Sequence, residues 1–151
     1  MKLEYLMSYH VDLKPPTIFP RGPLGTRMVY DLVDGAAEGP KIKGRFQKSG
    51  GDWLLADDSG ICRLDVRGTL ETDDGALIYM QYYGILVMTE RVSAVAETGK
   101  GIAYGDTYFM IQPRFETGDE RYEWLNRIVA VGEGRVLPNA VEYNIYQVLN
   151  D

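Results

Sequence analysis

The sequence predicts an all-β protein, a single antiparallel up-and-down β-barrel of about 8–10 strands with one or two short helices. Short runs of alternating apolar and polar residues follow one another along the chain, and Gly, Pro and Asp cluster between them. The chain has 17 glycines and 11 tyrosines, which suits turns and strands. A length of 151 residues fits one domain, residues 1–151, with a core that needs no disulfide.

A closed barrel is the expected arrangement because closure leaves no strand edge open to other chains. A sandwich of two packed sheets is the competing architecture for the same series of hairpins. Several predicted strands are about 10–12 residues long, which favours the barrel.

Alternation of apolar and polar residues predicts the first strand over residues 3–13. Lys14-Pro15-Pro16 ends this strand, because proline has no N–H to donate to a ladder. Residues 17–26 carry two prolines and two glycines and are expected to form a long loop. The pattern then predicts strands over 27–33, 41–48 and 52–56, a turn over 34–40 and a hairpin turn over 57–60.

The second half continues as hairpins, interrupted by one helix. Val92 and Val95 share a helical face within residues 90–100, and glycines at 99 and 101 are expected to end that helix. The other predicted elements are strands over 61–72 and 76–89 joined by a turn over 73–75, a strand over 106–116, helical turns over 120–126, and strands over 127–137 and 140–149.

Composition excludes several functional classes. A net charge of −6 argues against a nucleic-acid or anionic-membrane partner, since both bind clustered Lys and Arg. Cys62 is the single cysteine, which fits a reducing cytoplasm, and no signal peptide or membrane span is expected. His10 is the single histidine, so histidine metal clusters and a Ser-His-Asp triad elsewhere are excluded. We expect no metal and no cofactor.

The strand over residues 61–72 has one apolar face, and its other face carries Asp65 and Arg67. A two-residue turn would pair Arg67 with Tyr82, and a three-residue turn would pair Asp65 with Tyr83 and Arg67 with Gln81. Either register sets charges beside tyrosine rings. The charged face is therefore equally compatible with a pocket wall and with ordinary solvent exposure.

Asp52 and Trp53 follow two glycines that let the backbone turn sharply. One interpretation is an acid or base at a barrel mouth beside an aromatic wall, where desolvation would raise the pKa of the Asp52 carboxyl. The alternative is a turn aspartate followed by a core tryptophan. Arg114 and Glu116 are two residues apart on one strand, so they point the same way and form either part of a polar cluster or an exterior ion pair.

The motifs resemble an uncharacterised family, the domain of unknown function 3237. The matching blocks run in order over nearly the whole chain: Gly39-Pro40, Ile42-Lys43-Gly44, Gly50-Gly51-Asp52-Trp53, Leu64-Asp65-Val66-Arg67, Thr72-Asp73-Asp74-Gly75-Ala76-Leu77-Ile78-Tyr79, Pro113-Arg114-Phe115-Glu116-Thr117-Gly118, Tyr122-Glu123-Trp124-Leu125-Asn126 and Val131-Gly132. The resemblance implies a single antiparallel β-barrel that assembles into homo-oligomers, dimers or tetramers, and it implies no general function. Gly68 stands where the resemblance leads us to expect a bulky residue, which would enlarge a pocket locally or relieve crowding.

The leading functional hypothesis is a barrel that binds a small organic ligand and acts on it by cofactor-free acid–base chemistry, as a lyase, isomerase or hydratase. Asp52 or Asp65 would move the proton, and Arg67 or Arg114 would hold an anionic or oxyanionic group. The remaining expected ligand-binding residues are Trp53, Tyr79, Tyr83, Glu116 and Trp124. The alternatives are a non-catalytic carrier barrel and an oligomeric interaction module with the tyrosine-rich face as its interface.

Overall fold

Ten strands form one continuous sheet in the computed structural model, which describes residues 1–151. One helix, α1 (Glu90–Thr98), and a 3₁₀ turn (Glu123–Arg127) accompany the sheet. The strands are β1 (Lys2–Leu13), β2 (Thr17–Gly22), β3 (Gly25–Glu38), β4 (Lys43–Phe46), β5 (Gly51–Ala56), β6 (Ile61–Thr72), β7 (Leu77–Val87), β8 (Phe109–Glu116), β9 (Val129–Leu137) and β10 (Ala140–Leu149).

The sheet closes into an eight-stranded antiparallel barrel with two additional strands, which confirms the predicted fold class. Neighbouring strands follow the order β1-β10-β9-β8-β7-β6, and β4 and β5 lie one after the other between β6 and β3. Pairing of β3 with β1 completes the ring. This pairing excludes the sandwich, because two separate sheets would leave those edges apart. No helix is long and apolar enough to cross a membrane.

Two predictions for the first half of the chain are wrong. Residues 17–22 form β2 rather than a loop, because β2 pairs only with β3 and its free edge tolerates Pro20. Asp34 and Gly35 lie inside β3 rather than in a turn, paired with Asp12 and Val11 of β1. A Cβ at position 35 would lie 2.5 Å from the His10 carbonyl oxygen, so glycine serves close strand approach here rather than a turn.

The hairpin of β6 and β7 has the register of a three-residue turn. Asp65 pairs with Tyr83, Arg67 with Gln81 and Thr69 with Tyr79. Thr72 and Ala76 close the turn through the Thr72 N–H, which donates to the Ala76 carbonyl at 2.9 Å. The predicted bounds of β6 and β10 are confirmed at both ends.

Side chains fill the barrel interior, as expected for eight strands. Tyr9, Tyr143 and Phe109 are among the largest fully buried side chains. Glycines on β9 make room for them: a Cβ at Gly134 would lie 2.8 Å from a ring carbon of Tyr143 and 2.9 Å from one of Phe109. Gly68 also faces inward, but Leu32 and Phe46 occupy the space beside it, so it opens no cavity.

Gly134→Ala is expected to lower the free energy of unfolding by about 1–3 kcal/mol, because the added methyl group overpacks the aromatic interior. Gly68→Ala is the matched control, since its methyl group would lie at ordinary contact distances, 3.4 Å from Leu32 and 3.6 Å from Phe46. We expect the control to change stability by less than about 1 kcal/mol in urea unfolding. Equal losses in both variants would contradict this account of the interior glycines.

Candidate functional site

The charged face of β6 lies on the outside of the barrel. Leu64 and Val66 are buried, whereas Arg67 is exposed and Asp65 is partly exposed. The interpretation of this face as an interior pocket wall is wrong, because the apolar face of the same strand takes the interior. Burial of the apolar face removes apolar surface from water, and the charged side chains on the opposite face stay hydrated.

Seven of the predicted site residues share this exterior surface on β5, β6, β7 and β8. We name it the outer face and define it by Trp53, Asp65, Arg67, Tyr79, Tyr83, Arg114 and Glu116. Cross-strand pairing joins them, with Tyr83 beside Asp65 and Glu116 beside Tyr79. Trp124 lies apart from the sheet on the 3₁₀ turn, with the Lys41 ammonium 5.4 Å from its ring centroid.

Asp52 differs from the other predicted residues because its side chain lies inside the barrel. It is only 7% exposed, although Trp53 beside it is 41% exposed. The Asp52 carboxylate Oδ1 accepts a hydrogen bond from the Asp65 N–H at 3.1 Å. Backbone pairing of β5 with β6 is interrupted here, between the Asp52–Val66 and Leu55–Arg63 pairs. The side chain of Asp52 therefore satisfies a backbone donor that the ladder leaves free.

Burial raises the pKa of Asp52 from 3.8 to about 7, since desolvation penalises the carboxylate. The hydrogen bond from Asp65 N–H lowers the pKa, and the negative charge of the Asp65 side chain raises it. Tyr30 pairs with Asp52 across the β3–β5 ladder. Burial and the Asp52 charge together raise the pKa of the Tyr30 hydroxyl. Asp52 is thus an acid that is half ionised near neutral pH.

A small internal cavity adjoins Asp52. Its volume is about 20 Å³, enough for about one water molecule. Its polar side chains are Asp52, Tyr82 and Tyr143, and Gly51 and apolar residues supply the rest of its lining: Val11, Leu13, Leu32, Val66 and Val141.

Two buried tyrosines, Tyr82 and Tyr143, line this cavity, and the ring of Tyr9 packs against both. The ring centroid of Tyr9 lies 5.1 Å from that of Tyr143 and 6.3 Å from that of Tyr82. The buried hydroxyls of Tyr9 and Tyr143 lie near that of Tyr82, and burial together with this neighbour raises the pKa of both. Neither oxygen has a partner within full hydrogen-bond geometry. A buried hydroxyl without a partner costs about 1–3 kcal/mol, so these groups have a clear capacity to bind a further oxygen atom.

The interior contains no cation. Asp52 is the one charged residue among the buried side chains, and both Arg67 and Arg114 are exposed. An anionic ligand group inside the barrel would therefore face a carboxyl and no compensating charge. No group of three or more His, Cys, Asp or Glu side chains is placed to hold a metal ion.

The three buried tyrosines, Tyr9, Tyr82 and Tyr143, were not among the predicted site residues. Tyr9 alternates with Met7 and Val11, and Tyr82 alternates with Met80 and Gly84, so all of these side chains share the inward faces of their strands. A tyrosine hydroxyl in such an apolar row is a detectable signal. Its meaning depends on whether the hydroxyl finds a partner, which the linear sequence does not specify.

An open groove of about 270 Å³ lies at the opposite barrel end, where the turn over residues 73–75 meets the 3₁₀ turn. Asp74 is its main acid. Its carboxylate already accepts hydrogen bonds from Thr72 and Tyr122 and pairs with Arg121 at 3.4 Å. These bonds lower the pKa of Asp74 and make it a structural anchor for the turn.

Comparisons with known proteins agree with this fold. The model of a family described as "Protein of unknown function (DUF3237)" matches residues 1–148. A UPF0311 protein of Rhodopseudomonas palustris is 29% identical over 125 residues, which cover 83% of this chain and 82% of the relative.

Two solved structures are also similar. A β-barrel-like protein from Acinetobacter baumannii AYE is 37% identical, with a TM-score of 0.83 over 97% of this chain and 94% of the other. An enzyme from Penicillium herquei is 23% identical, with a TM-score of 0.72 over 98% of this chain and 94% of the other. The second likeness concerns the fold alone.

Asp52 is expected to make the protein less stable as the pH rises from about 4 to 7. The unfolded carboxyl ionises near 3.8 and the folded one near 7, so the folded state binds more protons between these values. At about 1.4 kcal/mol per pKa unit, up to roughly 4 kcal/mol of stability is lost across this window, and none is lost above it.

Urea unfolding of the wild type and of Asp52→Asn from pH 4 to pH 8 measures this dependence. Asparagine keeps the acceptor for the Asp65 N–H but does not ionise, so the variant is expected to be more stable than the wild type at pH 8. The same pH dependence in both proteins would show that Asp52 does not titrate with a raised pKa.

Proposed function

The chain belongs to the family of proteins of unknown function DUF3237, and from that premise we propose that it is a cofactor-free acid–base enzyme. Asp52 exchanges the proton, and its substrate is a small uncharged organic molecule with a carbonyl or hydroxyl oxygen. The reaction is of the isomerase, lyase or hydratase type. The observation that carries this proposal is a buried carboxyl with a pKa near 7 in one cavity with Tyr82 and Tyr143, of which Tyr143 has no partner in full hydrogen-bond geometry.

Asp52 has the properties of a general acid and base. Its hydrogen bond to a protein donor uses Oδ1, so the other oxygen remains available to a ligand. A pKa of about 7 leaves both protonation states populated at neutral pH. A catalytic group works best when its pKa lies near the operating pH, because it is then present in the needed state and still transfers protons readily.

The tyrosines supply the complementary half of such a site. Tyr82 and Tyr143 line the cavity together with Asp52. When Asp52 removes a proton from a carbon next to a carbonyl group, negative charge develops on the carbonyl oxygen. A neutral phenol can donate a hydrogen bond to that oxygen without the desolvation cost of a buried cation. Return of the proton to a different carbon completes an isomerisation, and loss of a β-hydroxyl as water completes a dehydration.

The absence of an interior cation defines the substrate class. A carboxylate or phosphate would have to lose its hydration shell beside Asp52 without compensation, which is costly. This changes the earlier hypothesis, because Asp52 is the one predicted site residue that it keeps. Arg67 and Arg114 lie outside the barrel and do not hold the substrate oxygen, and Asp65, the other outer-face residues and Trp124 take no part either. The fold is compatible with catalysis, since a Penicillium herquei protein with the same fold is described as an enzyme.

Substrate access requires the cavity to open. Its present volume of about 20 Å³ suits a water molecule, so an organic substrate must displace side chains. Leu13 at the end of β1 and Val141 near the start of β10 both line the cavity and are partly exposed. Their separation would open a route from solvent to Asp52.

Asp52→Asn is expected to lower the rate of proton exchange by at least about 100-fold, because asparagine cannot accept a proton. The measurement is exchange of carbon-bound hydrogen for deuterium in small uncharged ketones, cyclopentanone among them, followed by proton NMR. Asp65→Asn is the control, since its side chain lies outside, and its rate is expected to stay within tenfold of the wild-type rate (about 1.4 kcal/mol).

Retained exchange in Asp52→Asn would contradict the assignment of Asp52. Wild-type protein that binds these ketones without accelerating exchange would be a carrier barrel instead. Line broadening of the ketone signals reports binding in the same samples, so the two outcomes are distinguished directly.

Tyr143→Phe is expected to raise the free energy of unfolding by about 1 kcal/mol while slowing proton exchange, because the variant loses a buried hydroxyl without a partner. Tyr104→Phe is the control: its hydroxyl donates to Glu142 at 3.1 Å, so its removal is expected to destabilise the protein and leave exchange unchanged. A loss of stability in Tyr143→Phe would show that its hydroxyl has a partner, either the nearby Tyr82 hydroxyl or a bound water.

A further inference from the structure

The outer face has the composition of a protein interface rather than of an ordinary wet surface. Trp53 is 41% exposed and Tyr83 is 52% exposed, and Tyr79 lies with them on the same wall. Tryptophan, tyrosine and arginine are the residue types that concentrate at the centres of protein interfaces. Sheet faces toward solvent more often carry small polar and charged residues.

The charged residues of the outer face have no partners within the chain. Asp65, Arg67, Arg114 and Glu116 take part in none of the ion pairs. Six of the ten arginines do pair with nearby acids, Arg63 on the same side of β6 among them, and Arg21 and Arg27 are the others that do not. The paired ones are Arg45, Arg63, Arg91, Arg121, Arg127 and Arg135. One oxygen of Asp65, Oδ1, also accepts no hydrogen bond, but its own chain shields it, so a cation of another molecule would have to meet the second carboxylate oxygen.

We propose that the outer face binds a second copy of this chain, with a two-fold axis that crosses the strands between Asp65 and Arg67. In this arrangement Asp65 of each copy faces Arg67 of the other, so the same ion pair forms twice. A two-fold interface must be complementary to itself, and an acid and a base at adjacent positions on one strand meet this condition.

The geometry of the sheet supports this arrangement. Asp65 and Arg67 point to the same side of β6 and are separated by two residues, about 7 Å along the strand. A two-fold axis midway between them exchanges the two positions. The same axis relates the outward-facing residues of β7 and β8, so Tyr83 of one copy meets Gln81 of the other. Likewise, Gln112 of one copy meets Arg114 of the other. Strands of the two copies then stay nearly aligned, which is a common way for sheets to pack.

Charge favours a second copy over other occupants. The whole chain carries −6, which repels a nucleic acid or an anionic membrane and, at long range, a second copy as well, so the choice between these partners depends on the charge of the outer face itself. The outer face holds two acids and two bases and is neutral, so two copies can meet there without local repulsion. The same balance would give a strongly basic or strongly acidic partner no net attraction.

The size of the outer face predicts a weak dimer. With ordinary strand spacing and rise, four strands and five residues along each strand span roughly 19 by 17 Å, or about 300 Å² per copy. Stable dimers bury about 800 Å² per partner, so we expect dissociation in the micromolar range or above. The dimer does not depend on the proposed activity, because Asp52 faces the other side of the wall.

Sedimentation velocity over a range of protein concentrations tests the proposal. The wild type is expected to shift from monomer to dimer as its concentration rises. Asp65→Arg and Arg67→Asp are each expected to raise the dissociation constant at least tenfold, since each places like charges opposite each other at both pair positions. Glu4→Arg and Lys2→Asp are the controls, because they make the same charge changes at exposed positions on β1.

The double variant Asp65→Arg/Arg67→Asp restores both opposite-charge pairs and is expected to recover dimerisation. An equimolar mixture of the two single variants is expected to form a heterodimer, because one then offers two bases and the other two acids. This mixture also shows that both variants are folded. A wild type that stays monomeric at millimolar concentration, single variants that dimerise as the wild type does, or a double variant that stays monomeric would each overturn the proposal.

Discussion

The fixed interior volume of the closed barrel governs most of this structure. Pairing of β3 with β1 closes the ring, and the space inside must then be filled to the density of a protein core. The chain fills it with aromatic rings from β1, β7, β8 and β10, and β9 contributes glycines where those rings need room. The large side chains and the glycines of β9 therefore depend on each other, and changing either one alone would leave the interior overpacked or underpacked.

Asp52 shows what this filled interior does to a polar group. The carboxyl sits among apolar side chains, so water cannot stabilise its charge, and its pKa rises to about 7. One backbone N–H offsets part of this cost and holds the side chain in a fixed direction. Tyr9 and Tyr143 carry a related cost, since their hydroxyls are buried without partners. A barrel interior optimised for stability alone would have phenylalanine at these positions.

Local patterns predicted the elements but not the side of the wall on which each residue lies. The period-2 alternation of β6 and the Asp-Gly turn gave its bounds and two possible registers, because both depend on neighbours in the sequence. The alternation favours the apolar face of β6 as the inward one, but the tyrosines beside the charged face left a pocket wall equally open, and only the closed sheet decides between the two. The outward position of Asp65 and the inward position of Asp52 follow from that closure.

The errors in the first half have a similar origin. Asp34-Gly35 has the composition of a turn, yet it lies in β3 because β1 approaches too closely for a side chain at Gly35. The partnerless hydroxyls of Tyr9 and Tyr143 were also out of reach, because lacking a partner is a property of the packed interior. For residues that meet through tertiary packing, the linear sequence shows the residue type but does not show the partners.

The bond between Asp52 and the backbone of Asp65 has a consequence for how the two sides of the wall communicate. A single layer of backbone separates a carboxyl inside from a carboxylate outside, and the outer charge raises the pKa of the inner group. Low-dielectric surroundings screen this interaction far less than bulk water would. A cation that settles on Asp65 therefore lowers the proton affinity of Asp52 without entering the barrel. Charge on the outer surface of the barrel wall therefore influences whether Asp52 inside the barrel is protonated.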